Sequence, residues 1–216
     1  IIGANFADPN GLSNAGESYV VFGKNTGFAA FLNLSTLNGT TGFACRGIDA
    51  ADQSGLSVSS AGDVNNDGFG DLLIGANLGD PNGQNAAGET YIVFGKASGF
   101  GAFLNLSTLN GTNGVVINGI DPVDHAGISV SGAGDVNGDG IDDLIIGARF
   151  ADPNALGQAG ESYVVFGRST GFAATLDLST LDGTTGFVIN GANISDFSGT
   201  SVSSAGDVNG DGVGDL

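Results

Sequence analysis

The stretch GDVNNDGFGDLLIGA, residues 62–76, returns as GDVNGDGIDDLIIGA at 134–148 and, in part, as GDVNGDGVGDL at 206–216. The step is 72 residues each time, and IIGA at Ile1–Ala4 keeps the same phase. ESYVVFG from Glu17, ETYIVFG from Glu89 and ESYVVFG from Glu161 follow it too. A fixed period of this length marks a repeat architecture, in which each unit is one supersecondary element. The three copies align without a gap, so the chain reads as a single repeat domain, 1–216, of three units: 1–72, 73–144 and 145–216. Joining Leu216 to Ile1 rebuilds the internal run Leu144-Ile145-Ile146-Gly147, so the register of the ends reads as a cut inside a unit.

Four short strands are legible in one period. Gly55–Ala61 alternates small polar and apolar residues, and Asp71–Ala76 is a continuous apolar run of the kind buried on both faces. Glu89–Gly95 is β-branched and aromatic, and Gly114–Gly119 is the fourth. Turn clusters such as Asp80-Pro81-Asn82-Gly83 separate them. The excursion FLNLSTLNGT between the third and fourth strands has room for one helical turn. Four strands per repeated unit predict an all-β fold of four-stranded antiparallel blades, a β-propeller. The alternative, a parallel β-solenoid, suits the pattern less well, because the inter-strand segments are long and unlike one another.

The repeated loop carries the chemistry. Its pattern is D-x-N-x-D-G-x-x-D: Asp63, Asn65, Asp67, Gly68, Asp71; Asp135, Asn137, Asp139, Gly140, Asp143; and Asp207, Asn209, Asp211, Gly212, Asp215. Oxygen donors at positions one, three and five converge when the chain wraps around a point, and glycine at six permits the sharp turn. The carbonyls of Phe69, Ile141 and Val213 add an oxygen at position seven, and the ninth-position Asp closes the shell. Hard oxygen donors in this number suit Ca²⁺. Zinc would need His or Cys, and His125 and Cys45 are the only ones in the chain. The loop is not an EF-hand, because position twelve is Ile74 or Ile146 rather than Glu and the flanks read as strands. Asp, Asn and Gly are also ordinary turn formers, but three copies with every donor retained favour metal. The third loop, at the cut end, is the one expected to fray or to need a neighbouring chain.

Bulk composition agrees. There are 23 acids, 5 bases and a net charge of −18, which disfavours nucleic acid and anionic membranes as partners. No apolar run is long enough for a membrane span. No signal peptide is visible, and the absence of Met reads as a processed or excised piece. Cys45 aligns with Ile117 and Ile189, so a buried apolar position is expected.

Together these motifs resemble the FG-GAP repeats of integrin α-subunit propellers: Val21-Phe22-Gly23, Val93-Phe94-Gly95, Val165-Phe166-Gly167, the Asp loops and the DLLIGA or DLIIGA strands. Secreted bacterial proteins, cyanobacterial ones among them, are similar. The resemblance covers essentially the whole chain and implies a calcium loop between strands one and two of each blade. The chain departs from it in reading GAN or GAR at Gly75-Ala76-Asn77 and Gly147-Ala148-Arg149. Propellers have about 4–8 blades, so a ring built of three-unit chains takes two of them; an open head-to-tail filament is the other assembly.

Other recurring acids read as structural. Glu17, Glu89 and Glu161 are expected to bond a turn, Asp52, Asp124 and Asp196 to cap one, and Asp8, Asp80 and Asp152 to sit in one. His125 aligns with Gln53 and Phe197, as a one-off surface position would. No non-repeated polar cluster suggests catalysis, so no enzyme is expected. The expectation is an extracellular or cell-surface structural and adhesive module that binds Ca²⁺ and assembles with other copies of itself. Glycans or cell-surface proteins are further partner classes. A carbohydrate-binding propeller and a non-catalytic piece of a larger secreted enzyme are the competing readings.

Overall fold

The computed structural model describes residues 1–216. Counted as blades, from first strand to fourth, rather than in 72-residue steps from Ile1, the first unit contributes β1 (Ile2–Ala4), β2 (Glu17–Val21) and β3 (Gly42–Arg46). The second contributes β4 (Ser57–Gly62), β5 (Asp71–Ala76), β6 (Glu89–Val93), a short β7 (Phe103–Asn105) and β8 (Gly114–Asn118). The third contributes β9 (Ser129–Gly134), β10 (Asp143–Ala148), β11 (Glu161–Val165), a short β12 (Thr175–Asp177) and β13 (Gly186–Asn190). They form three sheets, ordered β1-β2-β3-β7, β12-β8-β6-β5-β4 and β13-β11-β10-β9.

The four expected strands are present and antiparallel in the second and third units, and the first unit has its second, third and fourth, but the sheets are not purely antiparallel. The excursion after the third strand crosses to the preceding sheet and adds a parallel edge strand: β7 runs beside β3 and β12 beside β8. Three residues of β pairing lead directly into a 3-10 turn at Leu106–Thr108 and Leu178–Thr180. The aromatic Phe100 inside this arm stacks on Phe43 of the previous unit, centroids 4.1 Å apart. The first-strand pattern that recurs at 201–206 forms no strand; only an isolated Gly206–Asp215 bridge forms there.

Consecutive sheets pack through two features of the sequence. The small residues of β4 and β9 let these strands lie together, and Ser57 Oγ accepts a bond from Val130 N at 3.0 Å. Gly75 lies so close to the next unit that a Cβ there would come within 2.1 Å of the Gly127 carbonyl oxygen. The apolar core is therefore shared between units: Phe43 and Cys45 of the first unit bury with Ile74, Tyr91, Leu106 and Leu109 of the second unit. Cys45 is fully buried, as expected, and burial pushes its thiol up to about 12.

Candidate metal loops

Each Asp loop joins the first and second strands of a unit, β4 to β5 and β9 to β10, through a register shift that marks a bulge at its base. The chain turns sharply because position six is glycine in the left-handed region, Gly68 at φ 87° and Gly140 at φ 85°. Position four is left-handed as well, at Asn66 (φ 58°), Gly138 (φ 77°) and Gly210 (φ 78°). Asn and Gly are the residues that tolerate this, so the fourth position is chosen for backbone, not for donors.

Inside the first loop Asp63 Oδ1 accepts from Asp67 N at 3.0 Å and Oδ2 from Gly68 N at 2.8 Å. Asn65 Oδ1 accepts from the same Asp67 N at 3.0 Å, and Asp67 Oδ1 accepts from Phe69 N at 2.9 Å. The second loop repeats this with Asp135 taking Gly138 N and Gly140 N, Asn137 taking Asp139 N and Asp139 taking Ile141 N. The third does so with Asp207, Asn209 and Asp211, closing on Gly210 N, Gly212 N and Val213 N. The terminal loop expected to fray has the backbone-to-side-chain bonds of the second loop. Backbone N–H groups, led by Gly212, hold the Asp207 carboxyl below its ordinary value.

The ninth-position Asp has a second task that the sequence did not reveal. Asp71 Oδ2 accepts from Val64 N at 3.0 Å, and Oδ1 accepts from Gly95 N at 2.8 Å, at the end of β6. Asp143 joins Val136 N and Gly167 N in the same way, at 2.9 and 2.8 Å. Asp71 and Asp143 thus tie the loop to the third strand of their unit, and the Gly of the second and third VFG motifs, Gly95 and Gly167, is the tie point. Burial pushes both carboxyls up to about 6, against the lowering effect of these N–H bonds. Asp215 keeps the Val208 N bond at 2.8 Å. Successive loops also touch: Asp142 Oδ2 accepts from Asp63 N at 2.8 Å, and Gly214 N donates to the Asp135 carbonyl at 2.8 Å.

No three acidic side chains converge to ion-coordinating distance. Each carboxylate is turned onto N–H groups, the favourable partners for like charges held on one short turn. The donor set nonetheless fits a hard divalent cation in its chemistry. It is all oxygen, each carboxylate oxygen has two lone pairs to offer, and the position-seven carbonyls of Phe69, Ile141 and Val213 accept no bond within the protein.

Residues 54–93 and 126–165 match the FG-GAP repeat. Each match runs from just before the first strand to the end of the third, so each encloses one complete Asp loop. The third loop lies outside both FG-GAP repeats. The chain is 32% identical over 117 residues to phosphatidylinositol-glycan-specific phospholipase D of Bos taurus, covering 54% of this chain and 14% of that protein. It is 32% identical over 117 residues to integrin alpha pat-2 of Caenorhabditis elegans, covering 53% of this chain and 9% of that protein. The chain therefore spans only a small part of the length of these relatives.

Of the remaining recurring acids, the glutamates are placed differently from the reading above. Glu17, Glu89 and Glu161 accept from the hydroxyls of Tyr19, Tyr91 and Tyr163 two residues along the same strand, not from a turn. Period-two geometry puts these side chains on one face, which was the available signal. Asp8, Asp80 and Asp152 do hold turns, accepting from Asn14, Ala86 and Gln158 N. Asp52 takes a backbone bond from Asp49, as a cap would. His125 is half-buried, not a free surface residue: its ring packs edge-on against Phe150 at 5.0 Å, and burial lowers its pKa. No helix is long and apolar enough to cross a membrane.

Proposed function

We propose that this chain is a calcium-stabilised extracellular module of β-propeller blades, structural or adhesive in role and without catalytic activity, that associates with further copies of itself. The observation that carries the reading is the threefold recurrence of one all-oxygen loop with one internal hydrogen-bond pattern. Asp63, Asn65, Asp67, the Phe69 carbonyl and Asp71 would hold the ion in the first loop, and Asp135, Asn137, Asp139, the Ile141 carbonyl and Asp143 in the second. Asp207, Asn209, Asp211, the Val213 carbonyl and Asp215 would hold it in the third. Bound calcium would neutralise the carboxylates that each hairpin crowds together in a chain of net charge −18.

The FG-GAP matches and the integrin alpha relative support an extracellular setting and an adhesive role. The phospholipase D relatives extend far beyond the part shared with this chain, and the loops offer nothing that acts on a substrate. A glycan-binding reading is disfavoured because Tyr91 and Tyr163, the recurring aromatics that would serve as platforms between units, are buried.

The test is thermal unfolding in calcium, in magnesium and in chelator. The reading expects a higher melting temperature in calcium than in either other condition. Identical melting in all three would refute it.

A further inference from the structure

We propose that Asp142 couples the first two Asp loops, so that calcium bound in the second loop tightens calcium binding in the first. The inference rests on the calcium reading above and adds to it a link between two of its sites. Position eight of the loop is Gly70 in the first copy and Gly214 in the third, and only the second copy has a carboxylate there. That carboxylate reaches the neighbouring loop instead of its own. Asp142 Oδ2 accepts from Asp63 N at 2.8 Å, across 79 residues of sequence. Gly62 leaves room for it, because a Cβ there would overlap Asp142 Oδ2.

Both ends of this bond sit among the donors. In the second loop Asp142 stands between Ile141, whose carbonyl is the seventh-position donor, and Asp143, the ninth. A cation that draws in both neighbours fixes the backbone of the residue between them. In the first loop Asp63 is the first-position donor, and its peptide with Val64 is held from both units. Val64 N donates to Asp71 Oδ2 at 3.0 Å, within the loop. The Val64 carbonyl accepts from Arg168 N at 2.9 Å, and Arg168 follows Gly167, the tie point of Asp143. This main-chain bond fixes the spacing across which the Asp142 carboxylate acts.

A loop already held at its first donor loses less freedom when it closes on an ion, so filling the second loop favours filling the first. The coupling is reciprocal, and about 5–150-fold is the ordinary size of such an effect. The negative charge of Asp142 acts differently: it favours a cation in the first loop whether or not the second is filled. A hydrogen-bonded link and a charge effect are therefore separable by experiment.

Calcium titration of the chain, followed by the amide NMR signals of Gly68 and Gly140, tests this. Gly68 N donates to Asp63 Oδ2 at 2.8 Å and Gly140 N to Asp135 Oδ2 at 2.7 Å, so each signal reports its own loop. Asp139→Asn weakens the second loop and should raise the calcium midpoint at Gly68 about fivefold or more. In the Asp142→Gly chain, which carries the glycine of the other two loops, the same replacement should move that midpoint less than about twofold. Asp142→Asn keeps an acceptor for Asp63 N and should keep the coupling. A Gly68 midpoint indifferent to Asp139→Asn, a full shift that persists in Asp142→Gly, or an Asp142→Asn chain that behaves as Asp142→Gly would overturn the coupling and leave the calcium reading standing. Signals that do not move in calcium at either glycine would overturn both.

Discussion

Replacing Asp52 and Asp124 by Asn should stabilise the protein at alkaline pH and leave it unchanged in acid. Asp52 is 5% exposed and Asp124 8%. Desolvation, then the charges of Glu89, Asp49 and Asp80, push the Asp52 carboxyl up to about 7 from 3.8. Desolvation, then Asp121, Glu161 and Asp152, push Asp124 to about 7 as well. The unfolded chain ionises near the ordinary value, so between the two values the folded chain holds more protons. The contribution of each protonated carboxyl to stability is therefore complete below the unfolded value and lost as pH rises through 7. A shift of about three units at about 1.36 kcal/mol each sets a ceiling of roughly 4 kcal/mol per site. Asp52 lines an open cleft of about 290 Å³, where water screens the charge, so about 1–2 kcal/mol per site is the working figure. Asn keeps an oxygen for the turn bond. Urea unfolding followed by far-UV circular dichroism, with calcium held fixed, reads the difference between variant and wild type. That difference should be near zero at about pH 4 and reach about 1–2 kcal/mol per site at about pH 8. A variant less stable than the wild type at alkaline pH, or a difference that does not vary with pH, would refute the reasoning.

Gly75→Ala should cost about 3 kcal/mol or more, because its Cβ would come within 2.1 Å of the Gly127 carbonyl oxygen and neither backbone can yield; chemical denaturation checks it. Leu106→Ala should cost about 2–5 kcal/mol while Leu34→Ala, the same position in a half-exposed setting, should cost under about 1 kcal/mol. Equal costs in a denaturant titration would contradict the unit-sharing core. Asp71→Ala should destabilise by about 2–4 kcal/mol even in chelator, since it orphans Val64 N and Gly95 N. Loss confined to calcium-containing buffer would mean that the tie to β6 contributes nothing.

The strands were legible because their signals are local. The apolar run Asp71–Ala76 and the Tyr strand from Glu89 lie where composition put them. The arm strands were not legible, because Phe103–Asn105 takes its β conformation from pairing with β3 of another unit, a long-range choice that three residues cannot signal. The loop donors were legible from spacing. The tie from Asp71 to Gly95 was not, since 24 residues separate them and only the β5–β6 pairing brings them together. His125 was misread for a related reason: its partner Phe150 belongs to the next unit.

The most direct test of the account is equilibrium calcium binding to the chain by isothermal titration, with melting temperature measured on the same samples. Three ions per chain are expected. At about 10 mM calcium, sites with dissociation constants of about 0.1–1 mM would each contribute roughly 1.4–2.7 kcal/mol of stability. No calcium uptake, or uptake without any rise in melting temperature, would contradict it.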